Sequence, residues 1–587
     1  MLYSLIELAA RLQREKKLPP ISYKPKSINW IIDLGGDEPY LKGPFKKGEY
    51  RSVEAPFRLR QGKVTKENVK PYLLADDARY VLGIPESPEK ADEAELMHTG
   101  YVRLIEEAYA KTKMKELEKV LGFLHSPMKN SFHEQISAKD IVTFQADEES
   151  LIFEKPEIQK FWAEYLANDL LSDDECDCSV CGNRSAYVRY LPNPVQLFGQ
   201  SCQLTSFNSA SFESMGKTQT NNVPICFRCA TLVVDTLNYL IREEQHHTLL
   251  YMSDRSMLRS QMAVYWIEGR FIEEGGISFQ IDEKVFASPI EQWLFDEETN
   301  KRTPPPELKQ LEELLALPKT GREQALHLDQ SFFHMAVLSA NKARLVIREW
   351  IHTSISQLLV HLERYTAALR IVQPSGEIGH LLPLTALIRA VDMSPGLVRQ
   401  CLRMIYQGAL PPTELLPLAL QRFRLPKVLN DVKETWRYHA LASLLKLALT
   451  YGKEEANMME SLNIHYLQPS YICGRLLAVL EEIQQRASGY RIGSTIVDRF
   501  YGAVSTAPAS TFGPLLRLST TAHLPKVSVE LSCLLEEIMK QLDEAGGFPT
   551  ILSLRQQAEF ALGFYHQRAE FRNRRQNNQK NEAGEKQ

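Results

Sequence analysis

Apolar positions change period several times along the chain. Residues 1–17 place Leu5, Leu8, Ala9 and Leu12 at helical spacing, and Pro19-Pro20 ends that stretch. Residues 21–83 alternate instead. Ile28, Trp30 and Ile32 sit two apart and Gly35-Gly36 breaks the run, so short strands and turns are predicted. Helical spacing returns over 90–125 and 156–171, and again over 230–243, where Val233, Leu237 and Leu240 recur. Ala263-Val264-Tyr265-Trp266 reads as a strand, and the charged stretch 298–327, with Pro304-Pro305-Pro306, as a connector containing a helix. Residues 333–338 and 343–350 flank Ser339-Ala340-Asn341-Lys342 as the arms of a hairpin. Its second arm sets Leu345 and Ile347 on one face and Arg344 and Arg348 on the other. A helix is predicted over 353–371, and from about 380 onward nearly everything is helical. There, 475–487 puts Leu476, Leu480, Ile483 and Ala487 on one stripe, 528–542 behaves likewise, and 553–575 predicts a last long helix with a basic end.

Composition adds limits. The chain has 587 residues, enough for several domains, and 44% hydrophobic with 24% charged residues is ordinary for a soluble globular protein. The opening Met1-Leu2-Tyr3-Ser4-Leu5-Ile6-Glu7 lacks the basic start and apolar core of a signal peptide, and no window has the apolar length of a membrane span. Nine cysteines, an odd number, suit a reducing cytoplasm. Net charge is −4, which excludes a globally basic nucleic-acid binder. Residues 11–70, however, hold fifteen Lys/Arg against seven Asp/Glu, and 568–587 hold six against three. Basic ends on an acidic body suit phosphate contacts at chosen places, and equally suit solvated surfaces.

The sharpest local chemistry is a pair of knuckles, Cys178-Ser179-Val180-Cys181 and Cys226-Phe227-Arg228-Cys229, separated by the 44 residues 182–225. Four thiolates so paired close a tetrahedral shell around one structural Zn²⁺, leaving no open position for catalysis. Buried free thiols or disulfides are the alternatives, and Cys176 offers a competing ligand. The intervening segment becomes rich in Ser, Thr and Asn from Ser201, so a metal would staple the base of a long polar loop. Ser206, Asn208, Lys217, Gln219, Asn221 and Asn222 then offer amides, hydroxyls and a cation on one loop, groups that reach base edges and phosphates or simply satisfy their own backbone. Lys42, Lys46 and Lys47 form a second basic candidate, and Arg344 and Arg348 a third.

The fold class expected is α+β: a mixed N-terminal region with a zinc-stapled loop, followed by a mainly α-helical C-terminal bundle. The divisions are 1–172 (α+β), 173–230 (knuckles and polar loop), 231–375 (α+β with the hairpin), 376–457 (helical), 458–572 (bundle) and 573–587, a polar and disordered tail. No phosphate-binding loop, His-Glu-x-x-His or nucleophile elbow is present. His246-His247 reads as an exposed helix end, and Asp173-Asp174-Glu175 as a solvated linker. A metal-dependent nuclease using Asp173, Asp174 or those histidines is the rival to a binding protein.

Three stretches carry a resemblance. The first runs Leu204-Thr205-Ser206-Phe207-Asn208, then Phe212-Glu213-Ser214-Met215-Gly216-Lys217, to Asn222-Val223-Pro224. The second is the hairpin, with Leu338-Ser339 and Asn341 before Ala343-Arg344-Leu345. The third is Gly474-Arg475-Leu476-Leu477-Ala478-Val479-Leu480-Glu481, Asp498-Arg499-Phe500-Tyr501-Gly502-Ala503 and Phe560-Ala561-Leu562-Gly563-Phe564-Tyr565-His566-Gln567-Arg568. In this order they resemble the large subunit of the type I-C CRISPR Cascade, an RNA-guided DNA surveillance complex. The resemblance implies a non-catalytic subunit beside the CRISPR RNA and the other backbone subunits. It implies reading of the protospacer-adjacent motif on target double-stranded DNA, help in forming the R-loop, holding of the displaced single strand and docking of the helicase–nuclease. It also implies a separately translated C-terminal product, for which Met458-Met459 is a candidate start, with Arg475, Arg499 and Arg517 as contacts to the displaced strand. Zinc rests on the cysteine spacing and not on the family.

Overall fold

The N-terminal helical spacing becomes α1 (Leu2–Arg14), which buries Leu5, Leu8, Ala9 and Leu12. The computed structural model describes all residues except 37, 46–52, 59, 61, 147–149, 208, 252–259, 269–271, 275–276, 280–330, 377–380, 431–434, 454–458, 492 and 585–587. The chain divides into two units. One takes in Met1–His247 and the hairpin tip Leu338–Arg348, and the other Thr248–Tyr251, strands within Gln261–Val337, and Glu349–Gln587.

In the first unit the alternating stretch yields short strands: β1 (Tyr23–Lys26), β2 (Trp30–Asp33), β3 (Tyr40–Lys42), β4 (Val53–Pro56), β5 (Ala75–Asp77) and β6 (Ile141–Gln145). β1 and β4 form an antiparallel ribbon, and the others a sheet ordered β3-β2-β6-β5 in which only β2 and β6 run parallel. α3 (Ala91–Thr112), α4 (Lys115–His125) and α5 (Pro156–Leu170) follow the predicted helical stretches, while the short α2 (Ala78–Val81) forms where only strands and turns were expected. β7 (Leu171–Asp177) pairs with β8 (Arg184–Val188), and β9 (Val195–Leu197) with β10 (Gln200–Cys202). Asp173-Asp174-Glu175 therefore lies in a strand, not a linker. Its side chains stay exposed; Glu175 pairs with Ala186, and Asp173 and Asp174 fall in the register shift between Leu171 and Glu175, so polarity reported solvent rather than lack of structure. α6 (Phe227–Arg242) buries most of its length and packs on α1 and β9.

Further along the chain, β11 (His247–Tyr251), β12 (Gln261–Glu268), β15 (Phe332–Asn341) and β16 (Arg344–Ser354) make a sheet in the order β11-β12-β15-β16, and β13 (Ile272–Glu274) pairs with β14 (Ile277–Phe279). The predicted hairpin is β15–β16. The predicted connector 298–327 lies outside the described residues.

Helices follow: α7 (Ile355–Leu369), α8 (Leu384–Val391), α9 (Pro395–Gln407), α10 (Leu415–Phe423), α11 (Pro426–Asn430), α12 (Thr435–Thr450), α13 (Pro469–Ala487), α14 (Ile496–Val504), α15 (Pro508–Leu518), α16 (Val529–Glu544) and α17 (Leu554–Gly584). α13 is buried at every position from Ser470 to Ile483, not on one stripe as its spacing suggests, because α16 and α17 both pack on it. Its closest approach to α17 is made by two glycines. A Cβ on Gly474 would strike the Phe560 carbonyl, and one on Gly563 the Tyr471 carbonyl. α17 also runs through the polar stretch from Asn573 that composition assigned to disorder. Asn573 Nδ2 donates to the Gly376 carbonyl at 3.3 Å, and Arg575 pairs with Glu482, so the first turn of that stretch is anchored rather than merely solvated.

Candidate nucleic-acid interface and cysteine cluster

The two knuckles close on one point because the backbone laces them together. Ser179 N donates to the Pro224 carbonyl at 2.8 Å, and Tyr187 bridges to Cys226. Cys178 N reaches the Asn183 carbonyl at 3.0 Å across a turn completed by Gly182 at φ 74°. The sulfurs of Cys178, Cys181, Cys226 and Cys229 all lie within 4.8 Å of one another. Val180 N and Cys226 N both donate to Cys178 Sγ, at 3.5 and 3.4 Å. The Cys229 thiol donates to Cys226 and holds it well below the ordinary thiol range, while Cys229 is pushed up by the same contact. This donor set fits a four-coordinate soft cation such as Zn²⁺. Cys176 is turned away, its sulfur 3.9 Å from Asn221 Oδ1, so it anchors the loop instead of competing as a ligand. All nine cysteines are free of disulfides.

The polar loop leaves this base and is pinned at several places. Gln203 exchanges backbone bonds with the hairpin tip, its N–H to Ala343 O at 2.7 Å and its carbonyl from Leu345 N at 3.0 Å. Arg344 lies over the Phe212 ring at 4.7 Å. Thr220, buried, donates to the Val188 carbonyl at 2.7 Å. Beyond these anchors the loop turns tightly between Ser214 and Lys217, with Met215 at φ 52° and Gly216 at φ 73°, the double left-handed geometry of a hairpin turn. Met215 is 96% exposed at that tip, and Lys217 is exposed beside it.

The amides divide in use. Asn222 Nδ2 donates to the Lys217 and Gln219 carbonyls, at 3.1 and 3.0 Å, so it shapes the loop. Gln219 is exposed, Asn221 and Ser206 are half-buried, and Asn208 lies outside the described residues, as do Lys46 and Lys47. Lys42 is held by Asp33 at 2.6 Å and Gln145 at 3.3 Å. Arg348 Nε donates across the hairpin to Ser339 Oγ at 2.8 Å. Arg499 and Arg517 are exposed on α14 and α15. Arg475 is not available as a strand contact: it is 1% exposed, with Nη1 on Gln541 Oε1 at 2.7 Å and Nε on Gln567 Oε1 at 3.3 Å. Its place on an all-round buried helix explains the difference. His246 is buried, not exposed, and His247 Nδ1 lies 3.0 Å from the Glu243 carbonyl. Asp173 pairs with Arg189 at 3.1 Å. Met458 lies outside the described residues, and Met459 is buried.

Much of the N-terminal positive charge faces inward. Lys24 lies 3.8 Å over Phe57, Lys26 4.0 Å over Tyr72, and Arg60 is sandwiched by Tyr72 and Tyr80 and paired with Asp76. Burial brings Lys26 down to about 8. The local charge excess is thus partly a packing device. The sequence reading missed a cavity of about 520 Å³ between this ribbon and the loop, where Arg58, Lys70 and Arg189 meet Ser206, Phe207 and Gln219. The neighbours Phe57-Arg58 and Arg189-Tyr190, each an aromatic beside a cation, were its available signal.

Residues 5–572 match the family described as CRISPR-associated protein (Cas_Csd1). No curated protein matches the chain.

Proposed function

As a member of that Csd1 family the chain is a type I-C Cascade large subunit, and we propose that within the complex it reads the protospacer-adjacent motif on duplex DNA with the loop 203–222 and cuts neither DNA nor RNA itself. The observation that carries the reading is the loop's construction. A polar segment is fixed at its base by four clustered cysteines and projects an exposed lysine and an exposed apolar tip. A rigid base with outward cationic and amide groups suits base-edge and phosphate contacts. Guide pairing supplies the long sequence, and the protein only the short motif and backbone shape, as in other RNA-guided effectors. The cluster holds structural zinc. The exposed Arg499 and Arg517 lie along the displaced strand, and other surfaces meet the CRISPR RNA, the backbone subunits and the helicase–nuclease.

The test is duplex binding by assembled complexes, with and without the motif, in the presence of Mg²⁺. Motif-dependent binding of uncut DNA, weakened by Lys217→Ala, is expected. Motif preference untouched by loop variants sinks the reader role. Cleavage abolished by replacing Asp173 and Asp174 sinks the non-catalytic one.

A further inference from the structure

Ser22 is one of the residues that line the 520 Å³ cavity. Ser22 is 1% exposed, and its Oγ has no hydrogen-bond partner among the described residues. Its backbone sits at φ 62°, a left-handed conformation that serine rarely adopts. The residue cannot relax, because its carbonyl accepts from Phe57 N at 2.8 Å and from Trp162 Nε1 at 3.1 Å. A buried, orphaned donor costs stability. Held rigidly in the wall of a cavity, it points to a ligand that completes the bond.

The walls narrow the ligand's chemistry. Phe57, Leu166, Leu191 and Phe207 give flat apolar surface, while Gln203 and Thr205 add donors and acceptors. The volume lies in the range of about 300–1,000 Å³ that small organic ligands occupy. The charges are nearly balanced. Arg58, 7% exposed, is paired with Asp169 at 2.6 Å, and Arg189 with Asp173 at 3.1 Å. Of the three cations that line the cavity, Lys70 alone makes no side-chain ion pair with a described residue, which leaves about one positive charge in excess. A free nucleoside triphosphate carries several negative charges, whereas one nucleotide inside a strand carries a single phosphodiester charge. Thr205 to Phe207 and Gln219 to Thr220, the two ends of the loop that projects Lys217, both line the cavity.

We propose that this cavity takes one unstacked nucleotide of the target DNA, next to the motif under the loop. Its base sits between Phe57 and Phe207 and bonds Ser22, and its phosphate meets Lys70. Extruding a base costs a few kcal/mol of stacking and pairing, and a fitted pocket offsets that cost. The pocket thereby starts strand opening where the loop docks. The proposal rests on the loop being a DNA reader.

The experiment uses the assembled complex and target duplexes carrying 2-aminopurine at successive positions on each strand beside the motif. One DNA position is expected to be shielded from acrylamide quenching. Thr205→Trp, which fills the cavity, abolishes the shielding. Ser22→Ala weakens it about five-fold, the worth of one hydrogen bond, yet leaves thermal stability unchanged or raised, since it removes an orphaned hydroxyl; a purely structural Ser22 would lose stability instead. If duplex binding and motif preference persist but no DNA position is shielded, the pocket proposal is wrong and the reader role stands. Shielding of a 2-aminopurine in the CRISPR RNA, and of none in DNA, also overturns it. Loss of all motif-dependent duplex binding in the unmutated complex removes the reader role and this proposal together.

Discussion

The bundle and the polar loop use the same residue types in opposite ways. In the bundle Arg568 is buried, forked onto Glu481 at 2.7 and 2.5 Å with a third bond to the Leu429 carbonyl at 2.8 Å. Arg475 is spanned by two glutamines. In the loop Lys217 faces solvent, and Met215 stands almost fully exposed on a tight turn. Both regions contributed to the family resemblance, but for different physical reasons. The motif around Gly474 and the motif from Phe560 to Arg568 are the two sides of one helix crossing, so they record packing. The loop motif buries little, so packing does not explain its composition.

If that contrast is right, the bundle motifs respond to substitution as a core does. Arg568→Met leaves Glu481 charged and unpaired inside the bundle, and should cost about 3–5 kcal/mol. Thermal unfolding measures it, and adding Glu481→Leu should recover most of the loss. A mild effect of Arg568→Met alone would break the contrast, because the pair would then be solvated. Gly474→Val should come next, at about 3 kcal/mol, since its side chain meets the Phe560 backbone rather than a movable side chain. An unchanged melting temperature would mean that the two helices have room to separate.

The bundle also carries buried imidazoles. Burial lowers His439 to about 4 and His566 to about 3, against an ordinary 6.5. The unfolded chain therefore binds protons that the folded chain refuses. Stability contributed by these sites is intact above pH 6.5 and falls as pH drops from there toward about 4, by roughly 1.4 kcal/mol per pH unit per histidine. Melts at pH 7 and 5.5 test this, and His439→Phe should flatten the slope. A slope unaffected by that change would show the ring to be already charged or solvated.

The loop should respond through its base. Cys226→Ser should reduce bound zinc, expected at one ion per chain, and lower metal affinity at least ten-fold. Motif-dependent duplex binding should weaken with it while the bundle's melting transition stays in place. Metal analysis together with melting separates the two effects. Zinc absent from the unmutated protein, or a bundle that melts with the metal, would remove the distinction between regions.

Legibility followed the same divide. Helices and the β15–β16 hairpin were readable because their apolar residues repeat at the period of the element. The cysteine cluster was readable because ligands must be close in space and knuckle spacing provides that locally. Periodicity failed on α13, where helices on several sides bury even Arg475, Glu481 and Glu482, and a single stripe is no longer the signature. Polarity failed for Asp173–Glu175 and for Asn573 to Arg575, since an exposed strand or an anchored helical turn can be as polar as a linker. The cavity was invisible in sequence because Ser22, Arg58, Lys70 and Arg189 are far apart along the chain and only the fold brings them together.

The smallest expected effect is also the most specific to the loop. Lys217 is exposed beside the turn, and its carbonyl, not its ammonium, is what Asn222 holds. Lys217→Ala should therefore leave the loop's shape and the bundle's stability unchanged. If the ammonium meets a phosphate, duplex affinity falls by about the same factor on every sequence, and the slope of log affinity against log salt drops by about 1. If it reaches a base acceptor in the groove instead, the loss is on the order of 1–3 kcal/mol and appears only on duplexes carrying the motif. Affinity measured over a salt series, on duplexes with and without the motif, tells these apart. A loss of neither kind would leave the exposed tip without a role in DNA binding, and the contrast between a packing bundle and a reading loop would then rest on the cavity alone.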